Sequence, residues 1–435
     1  MTKEKRIIEF IKTALIALLS VSALILAWQT GLFAGFIDSI PFFGSVAELV
    51  KGASTATETS GAAPKEAARP ISIVVTNEDG ERYGAKYDTN ARNAAYDRIS
   101  SILGEALGSA STPNEISEDE WREALSGTGV FFEYLRPIRL SILDHWFGVN
   151  LPDTAKDVFI RYVCIAFGED KSRIYYQDAE SGSFFGVDTA SAAGKAQELE
   201  IFSGNGAMFA FETRVWAADS APYMLIMPES GQHPDVIAAA ASSADELLYM
   251  VITALGHSEE KYTTYYDGRG ALVGVGTQFN INVFSNGKVF YRRTNELPLD
   301  NETIIQDTTM MIERAREIVS NTIIKTCGAA EVFFESAEYG ADGSYSVVFD
   351  YYIAGGRMFL RDDNNAARIK FSSGIISEIE LLSRNYTLAD EYTNLLPEEL
   401  TLAAAGGEFL LSYSDAGAET LQPSWAKYFW LAQGG

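Results

Sequence analysis

The N-terminal segment constrains this chain most, because it predicts a membrane anchor. Basic residues cluster at the start, and no charged residue occurs from Thr13 to Ile37, just before Asp38. An apolar helix of ~20 residues crosses the hydrocarbon core of a bilayer. Basic residues before such a span favour a cytoplasmic N-terminus. We therefore predict a cytoplasmic segment at 1–12, a single-pass transmembrane helix at 13–37, and an extracytoplasmic location for the bulk of the chain.

A cleaved signal peptide is the alternative to a retained anchor. Such peptides carry a shorter apolar stretch of ~7–15 residues, and small residues mark the cleavage site. Here the apolar run is longer, and Trp28, Phe33 and Phe36 stand where small residues would be expected. Trp28 also suits the membrane interface. The sequence therefore favours the uncleaved anchor.

Small and hydroxyl-bearing residues share one stripe of the predicted transmembrane helix. Small residues let such helices approach closely, and Ser or Thr hydroxyls can hydrogen-bond between them. A helix without a partner could carry the same alanines, so the stripe alone leaves both interpretations open. The candidate partner-binding residues on this stripe are Thr13, Ala17, Ser20, Ala23, Leu24 and Ala27.

Composition limits the partners of the exported part. The 435-residue chain has a formal net charge of −25, and 47% of its residues are hydrophobic. That hydrophobic content supports packed cores rather than a disordered stalk. The negative field repels DNA, RNA and anionic lipid head groups, so we expect no nucleic-acid partner.

The rest of the chain predicts an α+β fold in which antiparallel sheets pack against helices. A juxtamembrane segment and low-complexity linker occupy 38–69, where residues rich in Ala, Thr, Ser and Gly cannot bury enough apolar surface to fold. Helix and strand patterns follow. We place a first extracytoplasmic α+β domain at 70–230 and a C-terminal α+β region at 231–435. The C-terminal region could comprise two related subdomains, which gives two or three external domains in all.

Local signals place several elements. Ser117 and Ser243 each precede a helical pattern and have a glutamate three residues later, which is a capping box. Asn286-Gly287 between two strand patterns predicts a tight hairpin. Apolar residues at a helical period predict one long helix over 302–326.

A search for catalytic motifs finds none that fits its context. No G-x-S-x-G sequence is present. Ser285 and Lys288 fit S-x-x-K, but the Asn-Gly turn between them places the serine on a hairpin tip. Carboxylate pairs are inevitable in so acidic a chain, and none has an unusual context. We predict a protein that is not an enzyme.

Cysteine and histidine usage predicts no metal site and no cofactor. Cys164 and Cys327 are the two cysteines, whereas disulfide-stabilised small domains contain far more. Cys164 lies in an apolar strand pattern, which indicates a buried thiol, and a long-range disulfide between the two stays open. His145, His233 and His257 are far apart in sequence and form no H-x-x-x-H pair.

Several stretches resemble the YycH family and its YycI relatives. The resemblance covers nearly the whole chain through the order of elements and short apolar phrases rather than through a diagnostic motif. The stretches are the basic N-terminus before "IKTALIALLSVSALILAW", the strand "ARPISIVVTNEDG", the segment "FFEYLRPIRLSIL", the hairpin "INVFSNGKVFY", the meander from "YSVVFDYYIAGGRMFL" to "IISEIELLSRNYTL", and the closing "LSYSDAGAETLQPSW".

The resemblance implies a non-enzymatic membrane regulator of the YycG (WalK) sensor histidine kinase, which controls cell-wall homeostasis in low-GC Gram-positive bacteria. It implies the kinase as a membrane partner, contacted by the helix and the external domains. A YycI-type accessory protein is implied as a further partner. The chain departs from the family in its higher acidity and longer linker. Two alternatives stay open: an exported module that binds cell-wall polymer or a peptide, with the helix as a simple tether, and an envelope hydrolase with an unrecognised site.

Overall fold

The computed structural model describes the chain from Lys65 onward, with short gaps. The described ranges are 65–168, 171–189, 195–213, 221–228, 231–257, 261–295, 303–405 and 407–428. The predicted cytoplasmic segment and transmembrane helix lie outside them. No helix within these ranges has the length and apolarity needed to cross a membrane.

The described fold begins inside the segment predicted as a linker. Lys65–Ala68 forms a 3-10 turn, and Ala68 is fully buried. The Tyr96 hydroxyl donates a hydrogen bond of 2.6 Å to the Lys65 carbonyl oxygen. This packing ties the last linker residues to the first helix.

Side chains cap the first turns of α-helices at Asp88, Ser117, Ser243 and Asp307. Ser117 Oγ accepts the backbone N–H of Glu120 at 3.2 Å, and Ser243 Oγ accepts that of Glu246 at 3.3 Å. Both helix starts are confirmed. Within the described ranges the helices are α1 (Thr89–Gly108), α2 (Glu118–Ser126), α3 (Leu140–Phe147), α4 (Asp153–Lys156), α5 (Ala244–Ala254), α6 (Thr308–Asn321) and α7 (Glu398–Ala405).

A seven-stranded antiparallel sheet forms the first part of the fold. Its strands are β1 (Ser72–Thr76), β2 (Arg82–Ala85), β3 (Asn114–Ile116), β4 (Gly129–Arg139), β5 (Phe159–Phe167), β6 (Ser172–Asp178) and β7 (Phe184–Thr189). Their order is β2-β1-β4-β5-β6-β7-β3. Ile73 and Val75 join the core beneath α1 and α3, whereas Val74 packs with Trp121 of α2 on the other face. Burial on both faces explains why β1 is a continuous apolar run.

An eleven-stranded sheet dominates the second part. The remaining strands are β8 (Met208–Phe209), β9 (Leu225–Ile226), β10 (Gln232–Ala240), β11 (Tyr262–Tyr266), β12 (Leu272–Gly276), β13 (Phe279–Val283), β14 (Lys288–Arg293), β15 (Glu331–Tyr339), β16 (Tyr345–Ile353), β17 (Gly356–Leu360), β18 (Ala367–Ser372), β19 (Ile375–Leu382), β20 (Arg384–Asn394), β21 (Glu408–Asp415), β22 (Thr420–Leu421) and β23 (Ser424–Tyr428).

The large sheet is antiparallel except at one pair. Its order is β11-β12-β13-β14-β19-β18-β16-β17-β21-β23, with β15 also paired to β16, and β17 runs parallel to β21. Helix α5 packs on β12 and β13, and α6 packs on β16 and β18. A smaller sheet has the order β20-β10-β22, and β8 pairs with β9.

The sheets and helices confirm the predicted α+β class. One hydrophobic cluster includes Ile73 of the seven-stranded sheet and Ile379 of the eleven-stranded sheet. Residues Ala63–Gly435 form one compact unit. The boundary between domains at 70–230 and 231–435 stays a prediction.

Candidate functional site

The cysteines and the serine considered for catalysis lie in inert settings. Cys164 and Cys327 are buried and free, so no disulfide joins them. Burial raises the pKa of the Cys164 thiol to about 12 and that of Cys327 to about 11, which keeps both protonated at neutral pH. Ser285 lies in the tight turn between β13 and β14, as predicted from the Asn-Gly pair. The described residues contain no group of three or more His, Cys, Asp or Glu placed to hold a metal ion.

A set of buried and half-buried polar contacts, which we call the polar seam, joins the two parts of the described fold. Each contact joins a residue before position 230 to a glutamate after it. In every case the first part supplies the donor and the second part supplies the carboxylate. The pairs are Lys86–Glu398, Arg92–Glu331, Arg136–Glu335, Trp146–Glu313 and Arg161–Glu408.

Glu398 is the most deeply buried acid of the seam. It begins α7 and is 0% exposed. Its Oε1 accepts a hydrogen bond of 2.7 Å from Lys86 Nζ and another from the Tyr87 hydroxyl, and its Oε2 accepts the Met227 N–H at 2.6 Å. Lys86 Nζ also donates to the Leu225 carbonyl oxygen at 3.0 Å. A buried ion pair needs such extra hydrogen bonds to offset the loss of hydration.

Aromatic rings cover this ion pair. The Tyr87 ring centroid lies 4.7 Å from that of His233 and 6.3 Å from that of Trp425, and all three ring pairs meet edge to face. Burial and the Glu398 carboxylate together raise the pKa of Tyr87 well above its ordinary value. The Tyr87 hydroxyl is therefore a permanent donor to Glu398.

Gly355 lets the two parts of the chain touch at the seam. It follows Ala354 in the tight turn between β16 and β17 and has φ +75°. A Cβ atom here would lie 2.6 Å from Tyr87 Cα and 2.9 Å from the Lys86 carbonyl oxygen. Only glycine combines this left-handed conformation with so close an approach to backbone atoms.

Arg161 connects three strands. From β5 it donates to Glu133 Oε1 of β4 at 2.8 Å and to Glu408 of β21. Ser72 Oγ donates to the other Glu133 oxygen at 2.7 Å. Burial disfavours the charged guanidinium, but the carboxylates outweigh that penalty and hold the pKa of Arg161 well above its ordinary value.

Two further arginines extend the seam. Arg92 of α1 is fully buried, donates to Glu331, and lies over the Phe333 ring at 5.6 Å. Arg136 Nε donates to Glu335 Oε1 at 2.7 Å. Burial raises the pKa of Glu335, although Arg357 and Arg136 work against that shift.

Helices α3 and α6 meet at another contact of the seam. Trp146 Nε1 donates to Glu313 Oε2 at 3.2 Å, and Arg316 makes two bonds of 2.8 and 2.6 Å to the same carboxylate. Burial opposes the charge on Glu313, but the Arg316 and Trp146 hydrogen bonds prevail and hold its pKa below the ordinary value.

The seam connects the two parts of the fold through hydrogen bonds and ion pairs. Donors on one side and acceptors on the other give the complementarity typical of a specific interface. Removing one member of a buried ion pair leaves its partner charged without compensation, so each pair fixes the relative geometry. Such contacts hold the seven-stranded and eleven-stranded sheets in a fixed position relative to each other.

The site predicted from sequence lies outside the described residues. Thr13, Ala17, Ser20, Ala23, Leu24 and Ala27 all precede Lys65. The seam, in contrast, was not anticipated. Its acids look like ordinary strand or helix-terminal residues, and Glu398 in "LPEEL" has the pattern of an exposed first turn.

Comparison with known proteins identifies a structural relative. No family model matches the chain, and no curated protein matches it. The crystal structure of YycH from Bacillus subtilis superposes with a TM-score of 0.52 over 83% of this chain and 94% of that chain, at 13% sequence identity. This chain has a YycH-like fold. At such low identity the likeness shows the fold alone.

Proposed function

We propose that this chain is a YycH/YycI-type regulator: a membrane-anchored, non-enzymatic accessory protein of a sensor histidine kinase that controls cell-wall homeostasis. The observation that carries the proposal is the likeness to the YycH crystal structure over most of both chains. The sequence phrases that resemble the family, which run from the N-terminus to the last strands, also support it.

The proposed topology follows from the N-terminal sequence. Residues 1–12 are cytoplasmic, one helix at 13–37 crosses the membrane, and the α+β regions at 70–230 and 231–435 lie outside. In the membrane the stripe containing Ala17 and Ser20 packs against the kinase helices. Outside, the body held by the polar seam contacts the kinase or a YycI-type accessory protein. Differential contacts bias the kinase between two signalling states.

A mild-detergent pull-down of the full-length protein from its native membrane tests the proposal, with partners identified by mass spectrometry. We expect recovery of a sensor histidine kinase, and loss of that recovery when a polyleucine helix replaces residues 13–30. Ser20→Leu and Ala17→Leu should each weaken recovery, because bulk on the stripe blocks close helix approach. Ser22→Leu, on the opposite helix face, is the matched control.

One observation favours the alternative of an exported binding module. A groove of about 640 Å³ lies beside α2 and is lined by charged residues of both signs, among them Asp119, Glu123, Lys171 and Arg173. Such a groove could hold a polar wall fragment. Retention of wall material by the protein, with no kinase in the pull-down and full function after the helix swap, would contradict the regulator and establish the module.

A further inference from the structure

The sequence of the edge strand β11, Tyr262–Tyr266, lacks the features that commonly protect an edge from pairing with another strand. The strand stands at the end of the eleven-stranded sheet, and within the described ranges β12 is its one strand neighbour. Tyr265 and Tyr266 are 55% and 61% exposed. Edge strands commonly carry a charge, a proline or a bulge that discourages pairing. The sequence YTTYY has no charge and no proline, and its register with β12 is unbroken.

The hairpin geometry shows which backbone groups of β11 point outward. Asp267 N–H donates to the Ala271 carbonyl oxygen at 2.9 Å, which makes these two residues a hydrogen-bonded pair. Hydrogen-bonded and non-hydrogen-bonded pairs alternate along an antiparallel ladder. Thr263 and Tyr265 therefore bond to β12, and the edge formed by Tyr262, Thr264 and Tyr266 offers its N–H and C=O groups outward.

The segment from Lys261 to Asp267 is complementary to itself. In an antiparallel pair of two copies centred on Thr264, Tyr262 faces Tyr266 of the other copy, and Lys261 faces Asp267. This register is the one that uses all three outward residues of both copies. It also sets opposite charges against each other at both ends, which favours the pair, whereas like charges directly opposite disfavour it.

We propose that β11 is a self-association surface, on which a second copy of this chain adds its own β11 antiparallel across a two-fold axis at Thr264. The result is a continuous sheet through two molecules, a form of β-augmentation. The same patch occurs on both subunits, as a two-fold interface requires. The inference does not depend on the kinase proposal, because it rests on the strand edge alone.

A single cysteine on the axis tests the register directly. Paired residues in a hydrogen-bonded antiparallel position have Cα atoms ~5.5 Å apart, within the ~4.4–6.8 Å range that a disulfide spans. Both native cysteines are buried, so any disulfide between two copies must form through the introduced thiol. We expect Thr264→Cys in the full-length protein, in mild detergent at ~0.15 M salt where the net charges are screened, to form a disulfide-linked dimer on mild oxidation.

Thr387→Cys is the matched control, since it is an exposed threonine on another edge strand, β20. A second variant, Lys261→Glu in the Thr264→Cys background, places two acids opposite each other at both ends. It should slow cross-linking roughly three- to tenfold, because two favourable pairs become repulsive. Asp267 is left intact because its side chain accepts the Arg269 and Ala271 N–H groups in the turn.

Three results would overturn the proposal. The first is equal cross-linking rates for Thr264→Cys and Thr387→Cys. The second is a Thr264→Cys rate that Lys261→Glu does not change. The third is an adduct in native membranes whose mass is not twice that of the chain, which would show that the occupant of the edge is a different protein.

Discussion

The polar seam and the edge strand β11 place charge and aromatic rings in opposite ways. The seam buries charges: Arg92 and Glu398 are both 0% exposed. Strand β11 exposes rings: Tyr265 and Tyr266 are each more than half accessible. Burying a charge costs hydration, and the hydrogen bonds that offset this loss fix the geometry of the two partners. Exposed rings on a strand edge are typical of surfaces that meet a partner.

The largest expected effect on stability is at Glu398, the most deeply buried acid of the seam. Glu398→Ala leaves the buried Lys86 without its counter-charge and the Tyr87 hydroxyl without its acceptor. We expect the free energy of unfolding to fall by about 3–5 kcal/mol, as for a broken buried ion pair. Urea unfolding followed by tryptophan fluorescence measures it. Glu399→Ala, at the exposed next position, is the control, and equal losses in both variants would refute the role of burial.

The next effect concerns the close approach at Gly355. Gly355→Ala adds a Cβ that collides with Tyr87 and Lys86 backbone atoms. Gly343→Ala is the matched control, because Gly343 has a similar φ of +78° and nothing within 4 Å of the added atom. The control should lose about 1 kcal/mol from the left-handed conformation. Gly355→Ala should lose clearly more in the same melts, and similar losses would mean that the two parts are not in fixed contact.

A smaller effect should depend on pH. Glu313 has a folded-state pKa below the ordinary 4.5, so its stabilising contribution is present above 4.5 and is lost as the pH falls through the lower folded value. Glu313→Gln should cost about 1–2 kcal/mol at neutral pH. The difference from the wild type should shrink below pH 4.5. Glu317→Gln on the same helix serves as the exposed control, and a pH-independent difference would contradict the assignment.

The smallest effect is expected at the edge strand. Tyr265→Ser should change the free energy of unfolding by less than ~0.5 kcal/mol, because the ring is exposed. Chemical denaturation of dilute protein measures it. A loss comparable to that of Glu398→Ala would show that β11 supports the fold rather than a contact, and would remove the contrast between the two regions.

Local chemistry made part of this fold predictable. Ser117 and Ser243 cap their helices as expected, and Asn286-Gly287 forms the expected turn, because each depends on neighbours in sequence. The helix predicted over 302–326 is shorter in the structure. Helix α6 spans Thr308–Asn321, and the Asp307 side chain caps its start. The Ile305 N–H donates to the Gly374 carbonyl oxygen at 2.9 Å, so a distant turn takes up backbone that would otherwise begin the helix.

The seam could not be predicted from the sequence, because its contacts join residues that are not neighbours in sequence. Lys86 and Glu398 are far apart in sequence, and neither has a local pattern that signals burial. The apolar run around Cys164 did predict a buried strand, β5, because a strand buried on both faces is apolar at nearly every position. Which charges pair across the fold depends on the tertiary structure, which local sequence patterns do not reveal.

We propose that the polar seam makes the described residues before position 230 and those after it one cooperative body. Hydrogen exchange of the full-length protein, followed by mass spectrometry over a series of low denaturant concentrations, tests it most directly. We predict that core peptides of the seven-stranded and eleven-stranded sheets share one opening free energy in the wild type and separate in Glu398→Ala. Two distinct opening free energies in the wild type, unchanged by Glu398→Ala, would contradict the claim.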